Sequence, residues 1–353
     1  MTDSTPLLSG TFTPSVADLL YKLHCTIVVS TYQAGKMIFI SATDKNKINM
    51  LPRNFNHAMG ISVDKNKIAL ACKDEVVILK NTPELAKSYP LKPNTYDALY
   101  LPRATYYTGQ TDLHDISFSS NGIIAVNTLF SCIVSINEEY SFQNIWKPSF
   151  ITETKPEDRC HLNGMITNKG IPLFVTALGE SNLPQGWREN KLKGGVLIHV
   201  PSNQIIMKGL PMPHSPRIIE NKIYLLLSAA GQLIEVEPQK GKFSMVHNFN
   251  CFVRGMDYID DYLFVGYSKL RHNSSAFQDL PIAKNSTHAG IFVFHLPTAQ
   301  IIGNIQFENI VEEIYDVRLI KGVTNAGIVN TNKDIHKQAI TTPNGSYWTA
   351  EKK

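Results

Sequence analysis

Residues 113–137 read LHDISFSSNGIIAVNTLFSCIVSIN, and this stretch contains three short apolar runs separated by two turn signals. The first turn is Ser120-Asn-Gly122, the second falls near Phe130, and a fourth run follows at residues 142–146. Short runs rich in Val, Ile and Phe between such turns are typical of β-strands. Four strands in this length of chain predict one blade of a β-propeller.

A similar short segment precedes six of the apolar runs. In each segment a polar or ionisable residue stands three positions before a common anchor, and the anchors are roughly 40 to 60 residues apart, the period of a four-stranded blade. The six segments are His57-Ala-Met-Gly60, Asp112-Leu-His114-Asp115, His161-Leu-Asn163-Gly164, His214-Ser-Pro-Arg217, Arg254-Gly-Met-Asp257 and Glu313-Ile-Tyr-Asp316. The sequence therefore predicts an all-β fold, a six-bladed β-propeller.

The two ends of the chain are predicted to complete the last blade together. One apolar run near the C-terminus, residues 315–320, has no further strands after it. Three runs precede the first complete blade, at residues 26–31, 36–41 and 47–51. Pairing all four in one sheet leaves no open edge between the first and last blades.

This organisation divides the chain into three parts. We predict an N-terminal arm with a short helix at residues 1–24, a single propeller at residues 25–322, and a polar, flexible tail at residues 323–353. Two long insertions, residues 177–195 and 268–288, are expected to form functional rims, because long loops in a tight repeat fold are commonly functional.

Composition limits the classes of partner. Of 353 residues, 43% are hydrophobic and 18% charged, and the net charge of +4 is not gathered into a basic stripe. Neither a nucleic acid nor a membrane surface is therefore an expected partner. The first residues lack the basic start and apolar run of a secretory signal. The five cysteines are odd in number and scattered, which indicates free thiols, and we expect a cytoplasmic protein.

Polar side chains of the six segments are expected to face the central channel. Alternate residues of a strand point the same way, so the positions three and one before each anchor should line one tunnel. Imidazole and carboxylate groups converging from separate strands are how a Zn, Fe, Mn or Cu site is built. The candidate ligands of a divalent metal ion are His57, His114, His161, His214 and Glu313.

Other channel residues are candidates for catalysis and substrate binding. Arg254 would offset anionic charge on a substrate, and Tyr315 or Asp112 would carry the proton. Asn163 and Arg217 are predicted to contact the substrate. The alternative is that all these groups are polar only because water fills a propeller channel, and that they hydrogen-bond the starts of the blades.

The first insertion contains Gly186-Trp187-Arg188. Trp187 and Arg188 offer an aromatic face and a guanidinium that would bind substrate at the rim. Packing of Trp187 over the blade explains the motif equally well.

Two further groups are interpreted as structural. Asp115, Asp257 and Asp316 stand at anchors, where carboxylates bonding neighbouring backbone amides would set the blade turns. Cys160 lies beside His161, but adjacent strand residues face opposite ways, which favours a buried structural thiol.

Several motifs together resemble a family of bacterial conserved hypothetical proteins, a domain of unknown function sometimes joined to tetratricopeptide repeats. They are Ser30-Thr-Tyr-Gln-Ala-Gly-Lys36, Asp158-Arg-Cys-His-Leu-Asn-Gly164, Gly186-Trp-Arg188, Met212-Pro-His-Ser-Pro-Arg217, Arg254-Gly-Met-Asp257 and Glu313-Ile-Tyr-Asp-Val317. The resemblance runs from about Phe12 to Gly322 and marks motif positions at Asp112, His114, His161, His214, Arg254 and Glu313. His57 departs from the family pattern, which more often has Arg, and falls to second rank.

The predicted ring also resembles, in architecture alone, six-bladed lactonases, streptogramin lyases and the amidating lyase, which hold a divalent metal at the channel mouth. The amidating lyase uses three His with an Arg and a Tyr, the closest chemical parallel.

The sequence thus predicts a hydrolase, lyase or oxidoreductase with an axial metal, acting on a small polar or peptide-derived substrate. The alternative is a propeller that binds a protein or a small ligand without turnover. A protein partner would use exposed rim aromatics, for which Trp146, Trp187 and Tyr106-Tyr107 are the candidates.

Overall fold

The computed structural model describes residues 7–270, 277 and 279–350. Six antiparallel sheets follow one another around a central axis, which confirms the predicted six-bladed β-propeller. The beginning of the predicted arm, the end of the predicted tail and part of the second insertion lie outside the described residues.

Blades 1 to 5 each contain four strands that follow in chain order from the axis outward. Their bounds are Ile61–Asp64, Lys67–Ala71, Glu75–Asn81 and Ala98–Tyr107 in blade 1; Leu113–Ser119, Gly122–Asn127, Cys132–Ile136 and Gln143–Trp146 in blade 2; Leu162–Asn168, Ile171–Ala177, Gly195–His199 and Gln204–Leu210 in blade 3; Pro213–Ile219, Lys222–Leu227, Gln232–Glu237 and Lys242–Asn248 in blade 4; and Phe252–Ile259, Tyr262–Ser268, Ala289–His295 and Gln300–Phe307 in blade 5.

Blade 6 joins the two ends of the chain, as predicted. Its innermost strand, Asp316–Lys321, comes from the C-terminal part, and the outer three are Cys25–Thr31, Lys36–Asp44 and Lys47–Asn54. The inner pair is antiparallel, with Asp316 opposite Ser30 at one end of the register. Hydrogen bonds within one sheet therefore close the ring.

The N-terminal arm ties blade 5 to blade 6. Gly10–Phe12 adds a fifth strand to the outer edge of blade 5. The helix Pro14–Leu23 follows, with Pro14 in its first turn, where a missing N–H costs nothing. Its buried face, which includes Val16 and Leu20, packs into the apolar cluster between these two blades.

The segment after residue 322 was predicted to be a flexible tail, and the structure corrects this. Ala326–Ile328 pairs in parallel with the outer strand of blade 1, and Ala339–Thr342 forms a hairpin with Gly345–Trp348. The Trp348 indole donates to the Leu85 carbonyl. A few apolar residues dock this segment although its average composition is polar.

Short helices complete the connections. They are Pro83–Lys87 and the 3-10 helices Gly186–Asn190, Pro281–Lys284 and Asp334–Gln338. No helix in the described part of the chain has the length and apolar content needed to cross a membrane.

Apolar side chains fill each interface between neighbouring blades. Successive residues of a strand point to opposite faces, so each blade contributes to two clusters. In blade 6, for example, Val28 and Phe39 face blade 1, whereas Ile27 and Ile38 face blade 5.

The two insertions meet each other at one end of the channel. Leu178 and Trp187 from the first pack with Leu280 and Ile282 from the second in a separate apolar cluster. They therefore cover one side of the rim together.

The anchor carboxylates of Asp115, Asp257 and Asp316 hydrogen-bond neighbouring backbone amides, as predicted, and they also link neighbouring blades. Each accepts a hydrogen bond from the backbone N–H of the residue after it and another from the inner strand of the next blade. Asp115 in blade 2, for example, accepts from Met165 of blade 3 at 2.9 Å. Arg318 adds a charged hydrogen bond to Asp115 at 3.0 Å. These buried groups fix the spacing of the inner strands.

Asp115→Asn should destabilise the protein. The amide would turn a donor toward either the Met165 N–H or Arg318, so one buried donor would lose its acceptor, at a cost of about 3 kcal/mol. Equilibrium urea unfolding measures the difference. The exposed Asp64→Asn is the matched control and should leave the free energy of unfolding unchanged; equal stability of the two variants would contradict the fastening role.

Candidate functional site

A small cavity lies on the axis, enclosed by the inner strands. Its volume is about 20 Å³, which is room for one water molecule or one ligand oxygen. The polar and charged side chains around it are His114, Asn163, His214, Arg254 and Tyr315, with Asp115, Ser215, Arg217 and Asp316 beside them. These first five residues come from five different segments of the sequence and meet at one cavity.

Not every segment presents the same two positions to the channel. Met59 and Met256, one before their anchors, are buried in the apolar clusters between blades. The backbone explains why simple alternation fails. His57, Asp112 and His161 adopt positive φ angles of 48°, 50° and 51°. In blades 4 and 5 the strand register shifts within the segment. Such irregularities re-aim side chains.

His114 and His214 are held in the same way. Their Nδ1 atoms lie 3.1 Å and 3.0 Å from the backbone carbonyls of Asp112 and Met212. A carbonyl can only accept, so each Nδ1 carries the proton and each Nε2 has a free lone pair. Ser228 lies 2.8 Å from the His214 Nδ1 and itself donates to the Val253 carbonyl.

The two imidazoles are electrically neutral at physiological pH. Burial lowers the pKa of both His114 and His214 well below the usual value, and the nearby Arg254 and His161 lower each further. Each is therefore a hydrogen-bond acceptor through Nε2 rather than a cation.

Arg254 is a nearly buried cation. Its residue is 9% exposed, and its guanidinium carbon lies 3.5 Å from the centre of the Tyr315 ring. The described residues give it no ion pair. Burial raises the pKa of Asp115 and Arg254 opposes this slightly, but that carboxylate already has Arg318 as its partner at 3.0 Å. A buried charge without a counter-charge is costly, so this position favours an anion.

Two other donors face the same region. The Tyr315 hydroxyl and the Asn163 amide nitrogen are buried without a hydrogen-bond partner among the described residues. The Asn163 oxygen accepts from Thr176 at 2.5 Å, which leaves only its nitrogen free. Burial raises the pKa of Tyr315, although Arg254 opposes this, so the hydroxyl stays protonated.

His161 stands above the cavity but does not line it. Its Nδ1 lies 3.0 Å from the Asp158 carboxylate, which also accepts from the Trp187 indole at 2.9 Å. Its ring centre is 4.8 Å from that of His114 and 4.3 Å from that of Trp187. Sequence reasoning assigned no role to Asp158, although an Asp three residues before a candidate His was a usable signal.

Trp187 and Arg188 are not an open rim patch. Trp187 is 2% exposed and packs against His161. Arg188 covers its ring from the exposed side, 4.7 Å from the centre. Of the other rim aromatics, Trp146 is half-buried and Tyr107 is 78% exposed.

The remaining predicted residues lie outside the cavity or are already engaged. Asp112, Glu313 and His57 do not line it. Burial raises the pKa of Asp112, and the charge of His161 opposes this. Arg217 borders the cavity, but it donates to the Met256 carbonyl at 2.8 Å and lies 3.5 Å from Asp316.

The metal expectation meets a geometric difficulty. Among the residues that the structure describes, no group of three or more His, Cys, Asp or Glu side chains is placed to hold a metal ion. The cation of Arg254 also lies among the imidazoles. The five cysteines are free and buried, and burial raises the pKa of Cys160 to about 12, as expected of a structural thiol.

Comparisons with known proteins give the family and the fold. A profile described as "Domain of unknown function (DUF4915)" matches residues 14–329. No curated protein matches the chain. A chain of a nidogen/laminin complex is similar in structure, with a TM-score of 0.55 at 9% identity, covering 84% of this chain and 99% of that one. A protein of unknown function from Bacteroides caccae has a TM-score of 0.51 at 10% identity, covering 84% and 98%. At these identities the likeness concerns the fold alone.

The two neutral imidazoles predict a dependence of stability on pH. Below about pH 6.5 the unfolded chain takes up protons at His114 and His214, whereas the folded protein does not, so stability is lost as the pH falls. In His214→Gln, the slope of unfolding free energy between about pH 6.5 and 5 should fall by up to about 1.4 kcal/mol per pH unit. Urea unfolding at several pH values measures it. The exposed His288→Gln should keep the wild-type slope, and an identical slope in His214→Gln would refute the assignment.

Proposed function

We propose that this chain, which belongs to the DUF4915 family, a domain of unknown function, binds a small polar molecule by its anionic end at the axial cavity. The observation that carries the proposal is Arg254, a nearly buried cation without an acidic partner among the described residues. A carboxylate or phosphate oxygen would supply the missing counter-charge.

The groups around Arg254 support a particular ligand. The Asn163 amide nitrogen and the Tyr315 hydroxyl are further donors for an anionic oxygen. The cavity has room for one such oxygen atom. The Nε2 atoms of His114 and His214 are acceptors, which suit a neighbouring hydroxyl or amine. The ligand class is therefore a carboxylate or phosphate beside a hydroxyl or amine, which includes peptide-derived compounds.

The same groups supply acid–base chemistry. A neutral Nε2 of His114 or His214 would remove a proton from the bound molecule, and Arg254 would stabilise the negative charge that develops. The protonated Tyr315 hydroxyl would be the acid. Such a set supplies the proton transfers that a hydrolase or lyase needs.

Replacing Arg254 tests the proposal. We expect lactate and inorganic phosphate to bind the wild-type protein in isothermal titration calorimetry, and Arg254→Gln to weaken binding at least about tenfold, the loss of about 1.4 kcal/mol or more. Arg188→Gln removes the same charge from the rim and should leave affinity unchanged. Absence of binding to the wild type, or equal affinity in Arg254→Gln, would overturn the proposal.

Stability of the ligand-free variant provides an independent check. Arg254→Met keeps most of the volume and removes an uncompensated charge, so we expect the free energy of unfolding to rise by about 1 to 2 kcal/mol. A loss of about 3 to 5 kcal/mol would instead mean that Arg254 has a protein partner.

A divalent metal, Zn, Fe, Mn or Cu, is the second candidate at this site. One observation favours it: His114, His161 and His214 each have Nδ1 engaged by an oxygen, the support that ligating histidines usually receive. Two observations count against it: the described residues offer no group of three ligands, and Arg254 brings a positive charge to the site.

Elemental analysis of protein purified without chelators separates the two candidates. The metal candidate requires about one equivalent per chain, lost in His161→Ala/His214→Ala and kept in the exposed-site variant His288→Ala. The anion proposal predicts only trace metal and unchanged lactate binding after dialysis against EDTA.

A further inference from the structure

We propose that a second site, at the boundary of blades 6 and 1, binds a neutral hydroxylated ring of the monosaccharide type. A cleft of about 580 Å³ lies there, within the range of small-molecule pockets. It is formed by different side chains from those of the axial cavity, so this inference does not rest on the function proposed above.

Side-chain amides and hydroxyls dominate the lining of this cleft. Examples are the amides of Gln33, Asn330 and Asn332 and the hydroxyls of Tyr32, Thr105 and Tyr107. An amide presents a donor and an acceptor side by side, and a hydroxyl can act as either. Such groups match neighbouring hydroxyls of a sugar, each of which also donates and accepts.

Part of the lining is fixed and part is available. Asn330 is buried and donates to the backbone carbonyl of Asn54 at 2.9 Å, which holds the wall in place. The side chains of Gln33, Tyr107 and Asn332 form no hydrogen bond within the described part of the chain. Their polar groups are therefore available to bind a ligand. Both kinds of group are features of a pre-formed pocket.

Apolar and aromatic surface completes the cleft. Phe55, Val77 and Leu79 are buried residues that contribute to its wall, whereas Tyr107 at the edge is 78% exposed. A sugar ring has an apolar C–H face beside its hydroxyls, and an aromatic ring offers a matching flat surface with a polar tip. An exposed tyrosine next to an amide-rich cleft thus suits a sugar ring better than a purely apolar ligand.

The charge of the cleft argues for a neutral ligand. Neither Lys nor Arg lines it, and its ionisable side chains besides the tyrosines are Glu75 and His57. Burial raises the pKa of Glu75, and the second negative charge of the nearby Asp74 raises it further. Two neighbouring carboxylates make the local field unfavourable to an anionic ligand. A neutral hydroxyl can donate to the Glu75 carboxylate without such a cost.

Saturation-transfer NMR with glucose, galactose, mannose and N-acetylglucosamine tests the site. We expect ring-proton signals from at least one sugar with the wild-type protein, and affinity at least about tenfold weaker in Tyr107→Ala and in Gln33→Ala. Tyr347→Ala, which removes a 58% exposed tyrosine from the C-terminal hairpin, should bind as the wild type does.

Three results would overturn the inference. The first is the absence of signal from all four sugars with the wild-type protein. The second is equal binding by Tyr107→Ala, Gln33→Ala and Tyr347→Ala, and the third is loss of sugar binding in an axial variant. The axial variant Arg254→Gln should keep sugar binding. Its loss there would place the sugar at the axis and not in the cleft, whereas loss of lactate binding alone leaves the cleft untouched.

Discussion

The approach of six inner strands to one axis is the constraint on which the structure depends. Some backbone N–H groups of the inner strands have no partner within their own sheet. The carboxylates of Asp115 and Asp316 accept hydrogen bonds from such N–H groups on the neighbouring blade. Burying those carboxylates requires cations, which Arg217 and Arg318 provide. The ion pairs fill the middle of the channel. A funnel of about 470 Å³ on their other side is therefore separated from the axial cavity by charged groups already paired with each other.

Much of this fold could be predicted from the sequence, because its signals are local. Strand period, turn residues and the spacing of the six segments identified the blades, and the surplus of strands at the N-terminus identified the closure. The prediction of a flexible tail after residue 322 was wrong for a physical reason. A handful of residues, Ala326, Ile328 and Trp348 among them, find partners only on the finished surface of blade 1. Average polarity cannot reveal contacts that exist only after the propeller forms.

The candidate site was predictable in its members and less so in its chemistry. The segments supplied His114, Asn163, His214, Arg254 and Tyr315, which do meet. Left-handed backbone and register shifts, invisible in the sequence, then decided which side chains reach the cavity. Hydrogen bonds decided the rest: acceptors at Nδ1 fix the tautomers of His114 and His214. A histidine-rich pattern alone favours a metal, whereas an unpaired guanidinium beside neutral imidazoles favours an anion.

The two proposed sites at this end of the molecule differ in local charge and therefore favour different ligands. At the axis Arg254 stands among neutral imidazoles, so the local field attracts an anion. In the cleft Glu75 is accompanied by neither Lys nor Arg among the lining residues, so the same anion is disfavoured. Tyr32 lies between them, lining the cleft while its ring stacks 6.1 Å from that of Tyr315. A molecule that engaged both would need an acidic end and a neutral hydroxylated end. Two separate ligands need no such match, and opposite local charge is then sufficient to sort them.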